Sequence, residues 1–197
     1  MLAIVVGVLF YNVVVAYSQS AVATFDNANG VVKGTVRFTA LADGLQVQVS
    51  LSGLSGSLTH PWHVHVNQLN ISYGYPLVCD YAGAHFDPFN ANIISPDYTQ
   101  RCSADHSLCE AGDLAGKFGS IPANGTDGSG TFSGTFLDRT GTLLVSDCVG
   151  RSVVIHNIFT GSPTGHRECA NVYAGAHSVV DQIKLVALLV LLVLSIA

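Results

Sequence analysis

The sequence predicts an all-β domain, an antiparallel sandwich or barrel, and three observations carry that expectation. Several stretches alternate apolar and polar residues with period two, the segments between them are rich in Gly, Asn, Asp and Ser, and no convincing helix lies between the two apolar ends. Val31 to Ala40 is the first such stretch. Leu45 to Ser52 is the clearest, with Leu45, Val47, Val49 and Leu51 set against Gln46, Gln48, Ser50 and Ser52. Asp43-Gly44 between them reads as a hairpin turn. Further on, Thr131 to Leu137, Val153 to His156 and Ala170 to Tyr173 read as additional short strands. Leu69 to Gly112 is the exception. It is rich in Asn, Asp, Pro and Tyr with little periodicity, and loops of that length in a compact domain are functional or tied down.

The two ends are of a different kind. Met1 to Ala16 is almost wholly apolar and uncharged, and Ser18 to Ala21 supplies small residues, so residues 1–20 are expected to be a secretory signal peptide, with a retained short anchor as the alternative. A basic n-region is missing. At the other end, Leu185 to Ala197 is a thirteen-residue aliphatic tract preceded by the spacer His177 to Lys184 and by Ala174, Gly175 and Ala176. Thirteen residues fall short of the ~20 a span requires. Small residues, a spacer and an apolar tail together match a glycosylphosphatidylinositol attachment signal, so residues 177–197 are expected to be removed and the chain tethered to a membrane by lipid. One folded domain over residues 21–176 is then expected, outside the cell and at its surface.

That compartment favours disulfides, and five cysteines leave one unpaired. It also makes glycosylation acceptors of Asn70, in Asn-Ile-Ser, and Asn124, in Asn-Gly-Thr. A formal net charge of −5 and the lack of a Lys/Arg cluster argue against a nucleic-acid partner.

Chemistry enters at Trp62-His63-Val64-His65-Val66. Strand alternation puts Trp62, Val64 and Val66 on one face and the two histidines on the other, about 6.6–7 Å apart along the strand, where one metal ion can sit between them. An ordinary strand that happens to carry two histidines would look the same. Four later blocks add to it: Cys79-Asp80-Tyr81-Ala82-Gly83-Ala84-His85-Phe86-Asp87-Pro88, Glu110-Ala111-Gly112-Asp113-Leu114, Gly150 to His156, and Gly165-His166-Arg167-Glu168-Cys169. In that order the five blocks resemble the signatures of the copper/zinc superoxide dismutases, over about residues 30 to 173.

The resemblance implies a Greek-key barrel or sandwich of about eight strands with a long active-site loop, anchored by a disulfide between Cys79 and Cys169. It implies copper held by His63, His65, His85 and His156, four imidazole nitrogens of the kind copper(II) prefers. His60, His106, His166 and His177 lack such motif support and are expected at the surface. Glu110 stands where the family's last zinc histidine would be, and only Asp113 of the zinc set keeps its register. The sequence therefore resembles the copper-only extracellular branch, and zinc is not expected. A slipped zinc site from His85, His106, Glu110 and Asp113 is the alternative.

In that branch the glutamate orients an imidazole by hydrogen bonding and the aspartate supports a ligand, roles the resemblance assigns to Glu110 and Asp113. Arg167 is the substrate-guiding arginine by composition. It lies two residues before Cys169 where the family has three, which leaves His166 at the expected position. Cys102 and Cys109 are close enough to close a small loop and leave Cys148 free, although other pairings remain open. The implied activity is copper-dependent disproportionation of superoxide to dioxygen and hydrogen peroxide. The rival is a non-catalytic copper-binding or structural surface domain on the same barrel.

Overall fold

The computed structural model describes residues 19–74, 77–122, 129–156 and 167–175. Seven strands form among them: β1 (Ser20–Phe25), β2 (Lys33–Leu41), β3 (Gly44–Leu54), β4 (Trp62–His65), β5 (Gly130–Asp138), β6 (Ser152–Ile155) and β7 (Glu168–Ala174). Every neighbouring pair is antiparallel, in the order β4-β6-β7-β1-β2-β3-β5, and the sheet curls into a half-barrel. Three of these neighbours, β4 with β6, β7 with β1 and β3 with β5, are not consecutive, so the chain crosses over the ends of the barrel as Greek-key topology requires.

Alternation decides which face is buried. Leu45, Val47, Val49 and Leu51 of β3 lie in the core, while Gln48, Ser50 and Ser52 face out. The β2–β3 turn is Ala42-Asp43, one residue earlier than expected, since Leu41 pairs with Gly44. Gly44 has φ +151°, and a Cβ there would lie 2.3 Å from the carbonyl oxygen of Asp138.

Strand β1 is additional to the strands the sequence predicts. Its Ala21, Ala23 and Phe25 alternate into the core, but it begins at Ser20, where the apolar leader masks the pattern. Three short helices are also additional to the expected elements: α1 (Tyr98–Ala104), α2 (Leu114–Phe118) and α3 (Val145–Cys148), with 3₁₀ turns at Leu77–Ala82 and His106–Leu108. None of the helices exceeds two turns, too short for a 3.6-residue period to show in a sequence.

Two strands position the centre. Trp62 and Val64 of β4 are fully buried; the Trp62 indole donates to the Gly119 carbonyl at 3.0 Å and packs against Phe118 and Phe136. His63 and His65 therefore face the other side of the sheet, opposite Val154 and Ser152 of β6. All of β6 is buried, because Val153 and Ile155 enter the main core while Val154 joins Leu69, Val78, Cys79, Ala82 and Cys169 in a second cluster under the long loop.

Candidate metal centre

The long loop lies against β4 through backbone hydrogen bonds. Val64 N–H donates to Gly112 O at 2.9 Å, Gly112 N–H to Phe86 O at 2.7 Å, Phe86 N–H to Val64 O at 2.8 Å and Val66 N–H to Ala84 O at 3.0 Å. His85 and Glu110 are thus held beside the histidine face of the strand. Residue 112 has to be glycine for this approach, since a Cβ there would meet Val64 O at 2.4 Å. A disulfide between Cys79 and Cys169 ties the loop to β7, a second joins Cys102 to Cys109, and Cys148 is free and buried.

His63, His65, His85 and His156 converge, with one ring nitrogen from each within 4.8 Å of the others. Three of these nitrogens, His63 Nδ1, His65 Nε2 and His156 Nε2, are buried without a hydrogen-bond partner. Buried polar atoms normally have partners, so three convergent unpartnered imidazole nitrogens could hold a metal ion. Of the opposite ring nitrogens, two are held by hydrogen bonds and a third faces a carboxylate. His65 Nδ1–H donates to Gly83 O at 2.8 Å, His85 Nδ1–H to Glu110 Oε2 at 2.6 Å, and His63 Nε2 faces Asp113 Oδ1 at 3.5 Å. The two hydrogen bonds fix the tautomers of His65 and His85 that leave the inward nitrogen with its lone pair.

Burial keeps the rings of His63, His65 and His156 neutral. Burial, followed by the neighbouring imidazoles, lowers His63 to about 2. Burial is likewise the main cause for His65 and His156, both held near 4, with the Arg167 charge among the smaller contributions. Neutral imidazole is the metal-binding form, and a four-nitrogen set suits copper(II). Copper therefore fits the donor set.

Arg167 Nη1 lies 3.4 Å from Asp80 Oδ1 at the exposed rim. His166, the alternative for the guiding position, falls outside the described residues, as do Asn124, His177, the expected tail and all of the expected leader but Gln19 and Ser20, the second of which opens β1. Asn70 is exposed. The slipped zinc set is not gathered: His106 is exposed and turns its ring toward Phe118.

One expectation is overturned. His60 is not a surface residue but wholly buried, its Nδ1 3.2 Å from His156 O and its Nε2 3.1 Å from Ser55 O, so that it braces the backbone of a converging histidine. Its place three residues before His63 was the available signal. Two other residues carried none. Lys117 is buried in an ion pair with Asp138 at 2.7 Å while also donating to Ala111 O and Thr142 Oγ1, and Tyr98 reaches both Glu110 and Asp113.

The fold and the centre together define a copper oxidoreductase. A family model described as copper/zinc superoxide dismutase matches residues 32–165, and the chain belongs to that family. The Cu-Zn superoxide dismutase of Kluyveromyces lactis is 32% identical over 128 residues, 64% of this chain and 70% of that protein. The cell surface Cu-only superoxide dismutase 5 of Candida albicans is 32% identical over 107 residues, 53% of this chain and 42% of that protein. The Cu(II) structure of Candida albicans superoxide dismutase 5 matches with a TM-score of 0.58 at 26% identity, over 83% of this chain and 98% of that one. The activity is copper-dependent superoxide dismutation.

Proposed function

We propose that this chain is an extracellular, copper-only superoxide dismutase, tethered to the cell surface by a lipid, in which His63, His65, His85 and His156 are the copper ligands. The observation that carries the ligand assignment is the trio of buried nitrogens without partners, His63 Nδ1, His65 Nε2 and His156 Nε2, aimed at the same point as His85. Copper supplies the one-electron redox chemistry when bound.

The residues of the chain do the rest. Glu110 holds the Nδ1–H of His85, so that imidazole keeps one orientation while its other nitrogen faces the reacting centre, where a proton must be taken up and released. Asp113 supports His63 by charge rather than by a hydrogen bond, its Oδ1 standing 3.5 Å from Nε2. Arg167 supplies positive potential at the rim of an otherwise acidic protein, which draws an anion such as superoxide inward. The side chain of His85 is 28% exposed, leaving the centre open to a small substrate.

The surface location is supported by the leader and tail compositions and by likeness to the Candida albicans cell surface enzyme. Among the described residues no helix is long and apolar enough to cross a membrane. Metal content of the purified protein, measured with superoxide-dependent turnover per copper, tests the ligand and metal assignment. One copper, no stoichiometric zinc and turnover proportional to copper is the expected result. Copper bound without turnover would overturn it.

A further inference from the structure

Tyr98 lies on α1, outside every block that carries the family likeness, yet its hydroxyl stands between the two acids beside the histidine cluster. It donates to Asp113 Oδ2 at 2.7 Å and accepts from the Glu110 N–H at 3.0 Å. The other oxygen of Asp113 accepts from Gly116 N–H at 2.7 Å while facing His63, so both carboxylate oxygens have assigned places. A second tie brings α1 to the same spot. Cys102, four residues after Tyr98 on that helix, is bonded to Cys109, the residue immediately before Glu110.

We propose that Tyr98 is a positioning residue for the copper centre, whose hydroxyl fixes the spacing between Glu110 and Asp113 and thereby the relative orientation of His85 and His63. The two rings it sets are stacked, with centroids 3.8 Å apart and 22° between their planes. A turn of the Asp113 carboxylate would alter its 3.5 Å approach to His63, and a shift of the Glu110 backbone would be carried through its side chain to His85. Burial first, then the nearby carboxylates against the opposing effect of the Glu110 N–H, raises the Tyr98 pKa, so the phenol remains a donor across the working range. One proton suffices for this bridge, because the backbone amide brings its own.

The proposal rests on Glu110 and Asp113 acting as supports. Tyr98→Phe keeps the ring and removes the hydroxyl, and it is to be compared with Glu110→Gln and the double variant, all as copper-loaded full-length protein. Tyr98→Phe is expected to keep its copper, to change the Cu(II) hyperfine splitting in electron paramagnetic resonance, and to lose about 10-fold in turnover per copper. The double variant is expected to lose less than the product of the two single losses. In the wild-type protein, a nuclear Overhauser contact is expected between the Tyr98 ring and the Glu110 amide.

A lowered melting temperature with a wild-type spectrum and wild-type turnover would make Tyr98 a packing residue and overturn the proposal. So would the lack of the Overhauser contact. If Glu110→Gln also leaves the spectrum unchanged, the role given to Glu110 falls and the clamp with it. If Glu110→Gln changes the spectrum and Tyr98→Phe does not, the clamp alone falls.

Discussion

The Nδ1–H of His85 donates to Oε2 of Glu110 at 2.6 Å, and the glutamate is buried while the imidazole is partly open. A carboxylate so placed makes a charge-assisted bond that holds the ring without occupying its second nitrogen. Glu110→Ala is therefore expected to retain most of its copper, since four imidazoles remain, while losing 10-fold or more, on the order of a second-sphere ligand deletion, in turnover per copper. The loss should grow between about pH 6 and 9, as proton delivery through His85 becomes harder. Equal turnover per copper across that range would make Glu110 a mere loop acid.

His156 follows directly on the end of β6 (Ser152–Ile155) rather than lying on β4 or the long loop, so it joins the histidine cluster from a third segment of the chain. His156→Ala removes one of four nitrogens and is expected to abolish turnover, with copper affinity falling by at least 10-fold, on the order expected for loss of an inner ligand. Equilibrium dialysis beside the activity assay checks both. Retained turnover at full copper loading would remove His156 from the ligand set.

The Cys79–Cys169 bridge closes a loop with a sequence separation of 90. Chain entropy alone assigns such a bridge about 4–5 kcal/mol, an upper figure because real bridges often deliver less. A Cys79→Ser, Cys169→Ser double variant is expected to unfold at markedly lower urea and to lose activity, since the loop that carries His85 is released. An unchanged urea midpoint would show that the backbone bonds to β4 alone hold the loop.

In the metal-free protein the imidazoles of His63, His65 and His156 are held well below the ordinary 6.5, by burial before all else. The unfolded chain then takes up protons near pH 6.5 while the folded chain does so only near 4 and below. Stability contributed by these groups is present in full above about 6.5 and is lost as pH falls toward 4. Urea midpoints of the metal-free protein at pH 7.5, 6 and 5 should fall in that order. A flat series would contradict the sign.

The small residues, spacer and apolar tract from Ala174 to Ala197 predict that the mature protein ends near Ser178 and is released from cells by a phosphatidylinositol-specific phospholipase. Mass spectrometry that finds the 185–197 peptide in the mature form would dismiss the anchor.

Period-two alternation by itself determined the all-β class and the buried faces of β2, β3 and β5, because side chains alternate in any strand however it pairs. The histidine pair of β4 and the ordered family blocks were legible too, since ligand chemistry needs particular residue types at particular spacings. Short helices, the strand hidden against the leader, and every contact made across the chain were not. His60 has no motif to mark it, and its burial depends on the fold bringing its ring between the carbonyls of Ser55 and His156, 96 residues away from the latter. Tyr98 and Lys117 belong to the same class: a polar residue in a loop has no periodicity to betray it, and only the packed fold decides that a phenol or an ammonium will face a buried carboxylate rather than water.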